Sequence, residues 1–372
     1  MVCGSYGAGE TGLDKPFING VRKGRVDGIE VIELELPYSN ADGFWKRVLT
    51  FTKFAYKSVG IALSCQYDLL FATSTPLTAG IPGIFASLLK KKTFVFEVRD
   101  LWPELPKAMG VITNPVILML MSWLEWASYH TAKASIGLAP GIIDGIKARG
   151  VASDKIFLVP NGCDLHLFRD SEKTDGWRPE KVGKNDFMAV FTGAHGVANG
   201  LDAVLDAAMK LKAKGRNDIK LVFTGEGKLK QVLEIRAEKE GLSNCFFLDG
   251  IPKKQLSGLL AQADLGLMIL ANVPAFYYGT SPNKFFDYIA AGLPVFNNYP
   301  GWLADMINEH GCGIVVKPDD PEAFAEALIH AADDRQILKK MGKCARELAV
   351  RHFDRHMLSD KFVDTLMEMT EK

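Results

Sequence analysis

Short apolar runs typical of β-strands alternate with helical runs along most of this 372-residue chain. The strand-like runs, among them YDLLFATS, TFVFEV and KIFLVP, are rich in Val, Ile and Phe and end at polar residues or proline. Helices are expected between them at 78–90, 115–132 and 140–149. Alternation of this kind is typical of parallel sheets covered by helices on both faces. The chain is therefore predicted to be an α/β protein.

A polar stretch divides the alternation into two halves. Residues 169–186 read RDSEKTDGWRPEKVGKND and lack apolar periodicity, which predicts a linker. On either side, at 1–168 and 187–351, we expect a Rossmann-like, doubly wound domain with its own parallel sheet. Residues 352–372 are expected to cross back to the first domain. Because ligands of such folds bind beyond the carboxyl ends of the strands, the expected site is a cleft between the two domains.

The start of the chain departs from the usual doubly wound pattern. Such a domain opens with a strand, a glycine-bearing turn and a long helix. Here Met1-Val2-Cys3 is followed at once by the loop-like SYGAGETGLDKPFINGVRKG. We therefore expect the first strand–helix unit to be missing from this chain. The run VDGIEVIELEL at 26–36 is predicted to be a strand.

Composition argues against several classes of protein. Lys+Arg and Asp+Glu both number 44, so net charge gives no reason to expect a nucleic-acid partner. The six cysteines are scattered without close pairs, which argues against a zinc site or a disulfide framework and fits a reducing cytosol. The longest uncharged apolar stretch, 111–124, is too short to span a bilayer. We expect a cytoplasmic protein without a cofactor, and the sequence offers no Asp-x-Asp metal clamp.

Two glycine-rich turns in the second half point to an anion. FTGAHGVANG and FTGEGKL each connect a predicted strand to a predicted helix. Such turns let the backbone approach a phosphate, and the helix N-terminus supplies free N–H groups. The residues involved are Gly193, His195 and Gly196 in the first turn, and Gly225, Gly227 and Lys228 in the second. One such turn is weak evidence because any tight turn favours glycine, and neither is a P-loop or a full dinucleotide fingerprint.

The stretch SPNKFFDYIAAGLPV at 281–295 strengthens the case for an anion site. Ser281 suits a helix N-cap and Pro282 the first helical turn. Lys284 is a cation at the positive end of the helix dipole, a position that a bound anion would explain. Asp287, one turn later, is placed to accept hydrogen bonds from ligand hydroxyls. The plainer alternative is a partly exposed helix with solvated charges.

Together with these segments, several others resemble family 4 retaining glycosyltransferases of the GT-B fold. They are FEVRDLWPE at 96–104, VPNGCD at 159–164, FTGAHGVANGLD at 191–202, FTGEGK at 223–228, FLDGIP at 247–252 and AAGLPV at 290–295. The resemblance extends from about residue 25 onward. The chain is similar to the bacterial branch that builds O-antigen and capsule, and within it to the N-acetyl-fucosamine transferase type.

The resemblance implies a role for each matching residue. The second domain would hold the donor, usually a UDP-sugar, and the first domain the acceptor. The implied contacts are Lys284 with the diphosphate, Asp287 with the ribose, Gly250, Ile251 and Pro252 with the base, and Gly193 and Gly196 beneath the phosphates. Arg99 and Asp100 stand where many relatives carry a His-Asp pair near the reacting sugar. We take Arg99, Asp100 and Lys284 as the candidate catalytic residues.

The chain also departs from the family pattern. Gly279 occupies the position of the first acid in the family's paired-acid motif, so we expect Gly279, Thr280, Ser281 and Asn283 to contact the donor instead. Relatives also carry an arginine and a lysine in the first glycine turn, where this chain has Ala194 and Asn199. The remaining candidate cations for the diphosphate are Lys284, Lys228, His195 and Arg99.

These observations predict a metal-independent, retaining hexosyl- or N-acetylhexosaminyl-transferase. The resemblance implies a lipid-diphosphate-linked sugar as acceptor and a role in surface polysaccharide synthesis. Residues 44–57 combine basic and aromatic side chains without an acid, and we expect them to contact an anionic membrane at the inner face of the cell. An ordinary packed helix with a basic edge is the alternative there. Two other functions stay open: a UDP-sugar 2-epimerase and a non-catalytic nucleotide-sugar-binding protein.

Overall fold

The computed structural model describes residues 1–6, 11–38, 42–169 and 176–371. It divides into two compact units. Unit 1 comprises Met1–Leu138, Ile142–Leu158 and Val363–Lys372, and unit 2 comprises Ala139–Gly141 and Val159–Phe362. The division therefore falls near residues 158 and 362, whereas the sequence suggested 168 and 352.

The first half of the chain alternates strands and helices. Its strands are β1 (Val2–Tyr6), β2 (Val21–Val26), β3 (Ile29–Tyr38), β4 (Leu69–Thr73), β5 (Thr93–Val98), β6 (Ala134–Gly137) and β7 (Ile156–Leu158). Its α-helices are α1 (Phe44–Ser64), α2 (Ile81–Lys90), α3 (Glu104–Ala108), α4 (Pro115–Thr131) and α5 (Pro140–Ala148). Short 3-10 helices lie at Leu77–Gly80 and Ser153–Lys155.

Two sheets form unit 1. Strands β4-β5-β6-β7 form a parallel sheet in that order, and β1-β3-β2 form a second sheet in which β2 runs antiparallel to β3. The strand predicted over 26–36 is confirmed from Ile29 onward but begins too early, because Asp27 and Gly28 have positive φ and make the turn of a hairpin between β2 and β3. Val2–Tyr6, predicted to run directly into a loop, is a strand that pairs parallel with β3.

The second half continues the alternation. Its strands are β8 (Phe187–Thr192), β9 (Ile219–Thr224), β10 (Cys245–Leu248), β11 (Leu265–Met268), β12 (Val295–Asn297) and β13 (Gly313–Val315). Its helices are α6 (Leu165–Arg169), α7 (Asp202–Ala213), α8 (Lys230–Lys239), α9 (Lys253–Gln262), α10 (Asn283–Ala290), α11 (Trp302–His310), α12 (Pro321–Asp333), α13 (Arg335–His352) and α14 (Arg355–Glu371). Val197–Asn199 and Pro274–Phe276 are 3-10 helices.

Unit 2 is built on one parallel sheet of order β10-β9-β8-β11-β12-β13. Every residue of β8 and β11 is buried, as expected for central strands covered on both faces. Strand order reverses between β8 and β11, and a ligand crevice is expected at the carboxyl ends of the strands at such a reversal. The α/β class predicted from the sequence is confirmed.

The predicted linker and the C-terminal region each have a defined structure. Trp177, within the predicted linker, donates from Nε1 to Gln255 O (3.1 Å), so this part lies against α9 in unit 2; residues 170–175 lie outside the described residues. Residues 335–371 form two helices, α13 and α14, separated at Phe353 and Asp354. The end of α14 belongs to unit 1, where Lys133 Nζ donates to Met369 O (2.7 Å). The C-terminal helix therefore crosses back to unit 1, as predicted.

Candidate functional site

The two glycine turns lie against each other at the carboxyl ends of β8 and β9. Gly193 N donates to Thr224 O (3.0 Å) and His195 N donates to Glu226 O (2.9 Å). A Cβ on Gly225 would lie 2.0 Å from Gly193 O, and one on Gly227 would lie 2.3 Å from His195 O. The second turn therefore needs glycine for its contact with the first turn. This packing leaves Gly193 itself exposed, with its backbone open to a ligand.

Lys284 reaches the first glycine turn from the start of α10. Its Nζ donates to Asn199 Oδ1 (2.7 Å) and lies 4.0 Å from the centroid of the Phe191 ring. A Cβ built on Gly193 would lie 3.5 Å from Lys284 Cε. Burial lowers the pKa of Lys284 to about 7, and this side chain forms no ion pair within the described ranges. The turn and the helix thus enclose a cation without a counter-charge, which suits an incoming anion.

The N-terminus of α10 is open. The helix begins at Asn283 with Pro282 as its N-cap residue, and no side chain among the described residues caps it. Ser281, expected to be the N-cap, does not cap the helix, and its buried Oγ has no hydrogen-bond partner in the described structure. The Ser281 carbonyl instead accepts from Asn161 Nδ2 (2.7 Å). Phe285 N donates to Pro282 O (3.0 Å), whereas the N–H groups of Asn283 and Lys284 lie at the positive end of the helix dipole, where intrahelical partners are lacking.

Asp287 lies in an ion-pair network that sequence reasoning did not predict. Asp287 is 9% exposed as a residue, and its Oδ1 lies 3.0 Å from Lys253 Nζ. Lys253 also pairs with Asp164, whose other partner is Arg355 (Nη2–Oδ2, 3.1 Å). Burial raises the pKa of Asp287, whereas hydrogen bonds from Arg355 and Lys253 outweigh burial at Asp164 and hold its pKa low. The members come from segments far apart in sequence, so no local pattern indicated the network.

His195 is placed in the core beneath the turn. Its side chain is 0% exposed and stacks on Phe191, with Phe223 and Phe247 at its edges. Neither ring nitrogen has a hydrogen-bond partner among the residues described, and burial lowers the pKa of the imidazole. His195 was predicted to lie beside the diphosphate as a candidate cation. In the structure its ring instead faces aromatic side chains in the core of unit 2.

The segment 250–252 follows β10 and leads into α9. Gly250 N donates to Glu226 Oε1 (3.2 Å), and Lys230 joins Glu226 to Asp249 with contacts of 3.0 and 2.6 Å. Pro252 is the N-cap residue of α9 and is exposed, while Ile251 is half-buried. Lys228 is also exposed, at the tip of the second glycine turn.

Gly279 and Thr280 precede α10. Thr280 Oγ1 donates to Phe276 O (2.9 Å), and the Thr280 carbonyl accepts from Trp302 Nε1 (2.7 Å). A side chain on Gly279 would lie 3.3 Å from Ala275 O. These contacts hold the backbone before α10 in place without any carboxylate.

Arg99 and Asp100 lie in unit 1, whereas the other predicted site residues lie in unit 2. They follow β5, at the carboxyl edge of the four-stranded sheet. Asp100 Oδ2 accepts from Thr75 Oγ1 (3.0 Å), and Arg99 Nη1 lies 4.0 Å from Glu97 Oε2. Burial raises the pKa of Asp100. This edge therefore carries a second polar cluster, with charges of both signs.

Two features are absent from the described part of the chain, a metal-binding cluster and a membrane-spanning helix. No group of three or more His, Cys, Asp or Glu residues there is arranged to hold a metal ion. No helix there combines the length and apolar character needed to cross a membrane.

Solved structures define the class of fold. The chain is similar to HepE of Anabaena solved with UDP and glucose, at 16% identity and TM-score 0.68, covering 91% of this chain and 86% of that one. It is similar to sucrose-phosphate synthase from Thermosynechococcus elongatus, at 16% identity and TM-score 0.75, covering 96% and 86%. WaaG, a glycosyltransferase of lipopolysaccharide biosynthesis, matches at 17% identity and TM-score 0.59, covering 87% and 95%. The fold is the GT-B fold, as predicted.

A family comparison adds a match within unit 2. Residues 175–348 match the family model described as glycosyl transferases group 1. The matched segment contains both glycine turns, the 250–252 segment and α10. No curated protein matches the chain.

Proposed function

We propose that this chain is a glycosyltransferase that takes its sugar from a nucleotide-sugar donor bound by unit 2. The observation that carries the proposal is the Lys284 ammonium, which lies beside the exposed Gly193 backbone without a carboxylate partner in the described residues. A partly buried cation without a counter-charge is expected where an anionic group binds. The match of residues 175–348 to glycosyl transferases group 1 supports a nucleotide diphosphate as that group.

The proposed chemistry requires positive charge next to the leaving diphosphate. As the bond between the anomeric carbon and the diphosphate oxygen breaks, that oxygen gains negative charge and the sugar gains oxocarbenium character. Lys284 and the free N–H groups at the start of α10 would stabilise the leaving oxygen. The acceptor hydroxyl would attack from the same side, pass its proton to the leaving diphosphate and retain the anomeric configuration. We propose that no metal takes part.

Asp287 is proposed to accept hydrogen bonds from the donor ribose. In the free chain its carboxylate already accepts from Lys253, the first residue of α9, whereas Asp287 itself lies in the second turn of α10. Ribose binding would therefore share or replace the contact with Lys253, which keeps its second partner, Asp164. The neighbouring backbone of 250–252 is proposed to contact the base.

The nature of donor and acceptor is also a proposal. Solved structures of HepE of Anabaena contain UDP or UDP-glucose, which supports a UDP-linked hexose or N-acetylhexosamine as donor. We propose a lipid-diphosphate-linked sugar as acceptor, near Arg99 and Asp100 in unit 1, in surface polysaccharide synthesis. Contact of residues 44–57 with the inner face of the cell membrane is part of this proposal. In this segment Trp45, Lys53 and Tyr56 are exposed.

A UDP-release assay with a panel of UDP-sugars and lipid-linked acceptors tests the proposal. Lys284→Met should lower turnover by about 10²-fold or more, because the leaving phosphate loses its cation. Lys340→Met, which removes an exposed lysine of α13, is the matched control and should leave turnover unchanged. Near-normal turnover of Lys284→Met would contradict the assignment.

The same assay separates the two other functions. A 2-epimerase would change the configuration of the donor sugar, which NMR of the recovered nucleotide sugar would detect. A non-catalytic binder would show a thermal shift with UDP-sugar and no UDP release with any acceptor. Either result would replace the transferase proposal.

A further inference from the structure

Helix α4 turns an apolar face toward solvent. Its exposed large side chains recur at positions i, i+3, i+4, i+7 and i+10, which is one face of a helix. They are Val116, Met119, Leu120, Trp123 and Trp126. Met119 and Trp123 are 63% and 66% exposed, whereas the single acid of the helix, Glu125, is 1% exposed and pairs with Arg149. A surface helix of a soluble monomer has the opposite arrangement, with its polar side outward.

Helix α2 extends this surface. It packs against both α4 and α1. Phe85, Leu88 and Leu89, at one-turn spacing, are all exposed. We call these three residues and the five exposed apolar residues of α4 the α2–α4 face. Apolar surface contributed by two neighbouring helices in this way marks an interaction site rather than scattered exposed side chains.

The charge around the α2–α4 face is positive. Lys90 and Lys91 follow Leu89 directly and are exposed, and Lys53 is exposed on the adjoining helix α1. Helices α1 and α2 contain no acidic residue, and the acid of α4 is buried. Since the whole chain has equal numbers of basic and acidic residues, this is a local concentration of positive charge.

We infer that the α2–α4 face docks on an anionic phospholipid surface. Its apolar side chains would enter the interface between head groups and acyl chains, where tryptophan is favoured, and its lysines would meet the head groups. The charge disfavours a second copy of the chain, because a two-fold contact through this face would bring lysines against lysines. The expected membrane contact thus extends well beyond residues 44–57.

The position of the face agrees with a lipid-borne acceptor, a link that rests on the proposed function. Helices α2 and α4 follow β4 and β5, and each starts on the side of the sheet where those strands end. Arg99 and Asp100 lie at this same carboxyl edge of unit 1. A membrane under the α2–α4 face would therefore hold lipid-linked sugars near this polar cluster.

Vesicle flotation of the full chain tests the inference. The vesicles are phosphatidylcholine with and without about 30% phosphatidylglycerol. The test variant is Met119→Gln/Trp123→Gln. The control is Val232→Gln/Ile235→Gln, which removes two exposed apolar side chains of α8 in unit 2. UDP release with a water-soluble acceptor and circular dichroism are measured on every variant.

We expect the chain and the control to float with the anionic vesicles. The affinity of the test variant for these vesicles should fall by roughly tenfold or more, since two apolar anchors are lost. Brominated lipid should quench fluorescence in the chain and less so after Trp123→Phe/Trp126→Phe. Failure of the unmodified chain to float, equal flotation of the test variant, or a dimer that the test variant disrupts would each overturn the inference. Flotation without UDP release would contradict the proposed function alone.

Discussion

Asp287 and Lys253 form an ion pair in the free chain, with 3.0 Å between Oδ1 and Nζ. The pair joins the first residue of α9 to the second turn of α10, and the same ammonium also holds Asp164. Because Asp287 is only 9% exposed, its negative charge depends on this lysine. A residue beside the candidate ribose contact thus stabilises the site before any donor binds.

Lys253→Met should destabilise the chain at pH 7 by about 1–3 kcal/mol, because a largely buried carboxylate loses its cation. Burial already raises the pKa of Asp287, and loss of Lys253 raises it further. The folded variant then holds a proton that the unfolded chain releases, so its stability rises as pH falls from 7 toward 5. Urea unfolding at the two pH values measures this.

Two variants control for the loss of Lys253. Lys254→Met removes an exposed neighbouring lysine and should leave stability unchanged. In an Asp287→Asn background, Lys253→Met should cost less than in the unmodified chain, because the buried charge is gone. An equal loss at pH 7 and pH 5 would show that Asp287 is not the partner that matters.

The stability of the free chain should rise with pH above 7. Burial lowers the pKa of Lys284 to about 7 from its ordinary value of 10.5. Between these values the unfolded chain binds a proton that the folded chain has released, so the free energy of unfolding increases with pH. Lys284→Met should remove this slope, and Lys340→Met should keep it. Urea unfolding from pH 7 to pH 9 gives the slopes, and identical slopes for all three proteins would contradict the prediction.

Binding of UDP should take up a proton at pH 8. A diphosphate beside Lys284 favours the charged ammonium and raises its pKa above the value of about 7 in the free chain. UDP affinity should therefore fall as pH rises above 7, by up to about tenfold per pH unit. Calorimetry at pH 8 in two buffers of different ionisation enthalpy counts the protons. Lys284→Met should bind UDP weakly and without proton uptake, and the absence of uptake in the unmodified chain would place the diphosphate elsewhere.

Sequence periodicity predicted most of the fold because the strands of unit 2 are apolar and short, and its central strands are fully buried. Two features of the fold did not follow from this periodicity, a hairpin turn in unit 1 and the break between α13 and α14. The hairpin turn at Asp27 and Gly28 was read as part of a strand, although Asp-Gly is a strong turn signal. The break at Phe353 lies in a sequence that remains helical on both sides, and it coincides with a hydrogen bond from Cys163 N to Phe353 O (2.6 Å), a partner far away in the chain.

For the candidate site too, the sequence indicated some residues and not others. The unusual position of Lys284 at a helix N-terminus indicated an anion site, and in the structure Lys284 lies beside Gly193. No sequence motif indicated Lys253, because its role depends on carboxylates from two other segments. The inward direction of the His195 ring could not be read from a turn sequence, because a turn residue can point either way. Spacing along a chain identifies a helix terminus, but side-chain direction in a loop is set by packing.

Gly225→Ala should disrupt the contact between the two glycine turns. Gly225 has a φ of +144°, and an added Cβ would lie 2.0 Å from Gly193 O, so the backbone of one turn must move. We expect a loss of about 3 kcal/mol or more in the free energy of unfolding, together with weaker UDP binding because Gly193 is displaced. Gly196→Ala is the control for folding, since a Cβ there meets no atom within 4 Å and its φ of −118° suits any residue. Urea unfolding and UDP calorimetry on both variants measure the effect; equal stability of Gly225→Ala and Gly196→Ala would show that the two turns do not depend on this close approach.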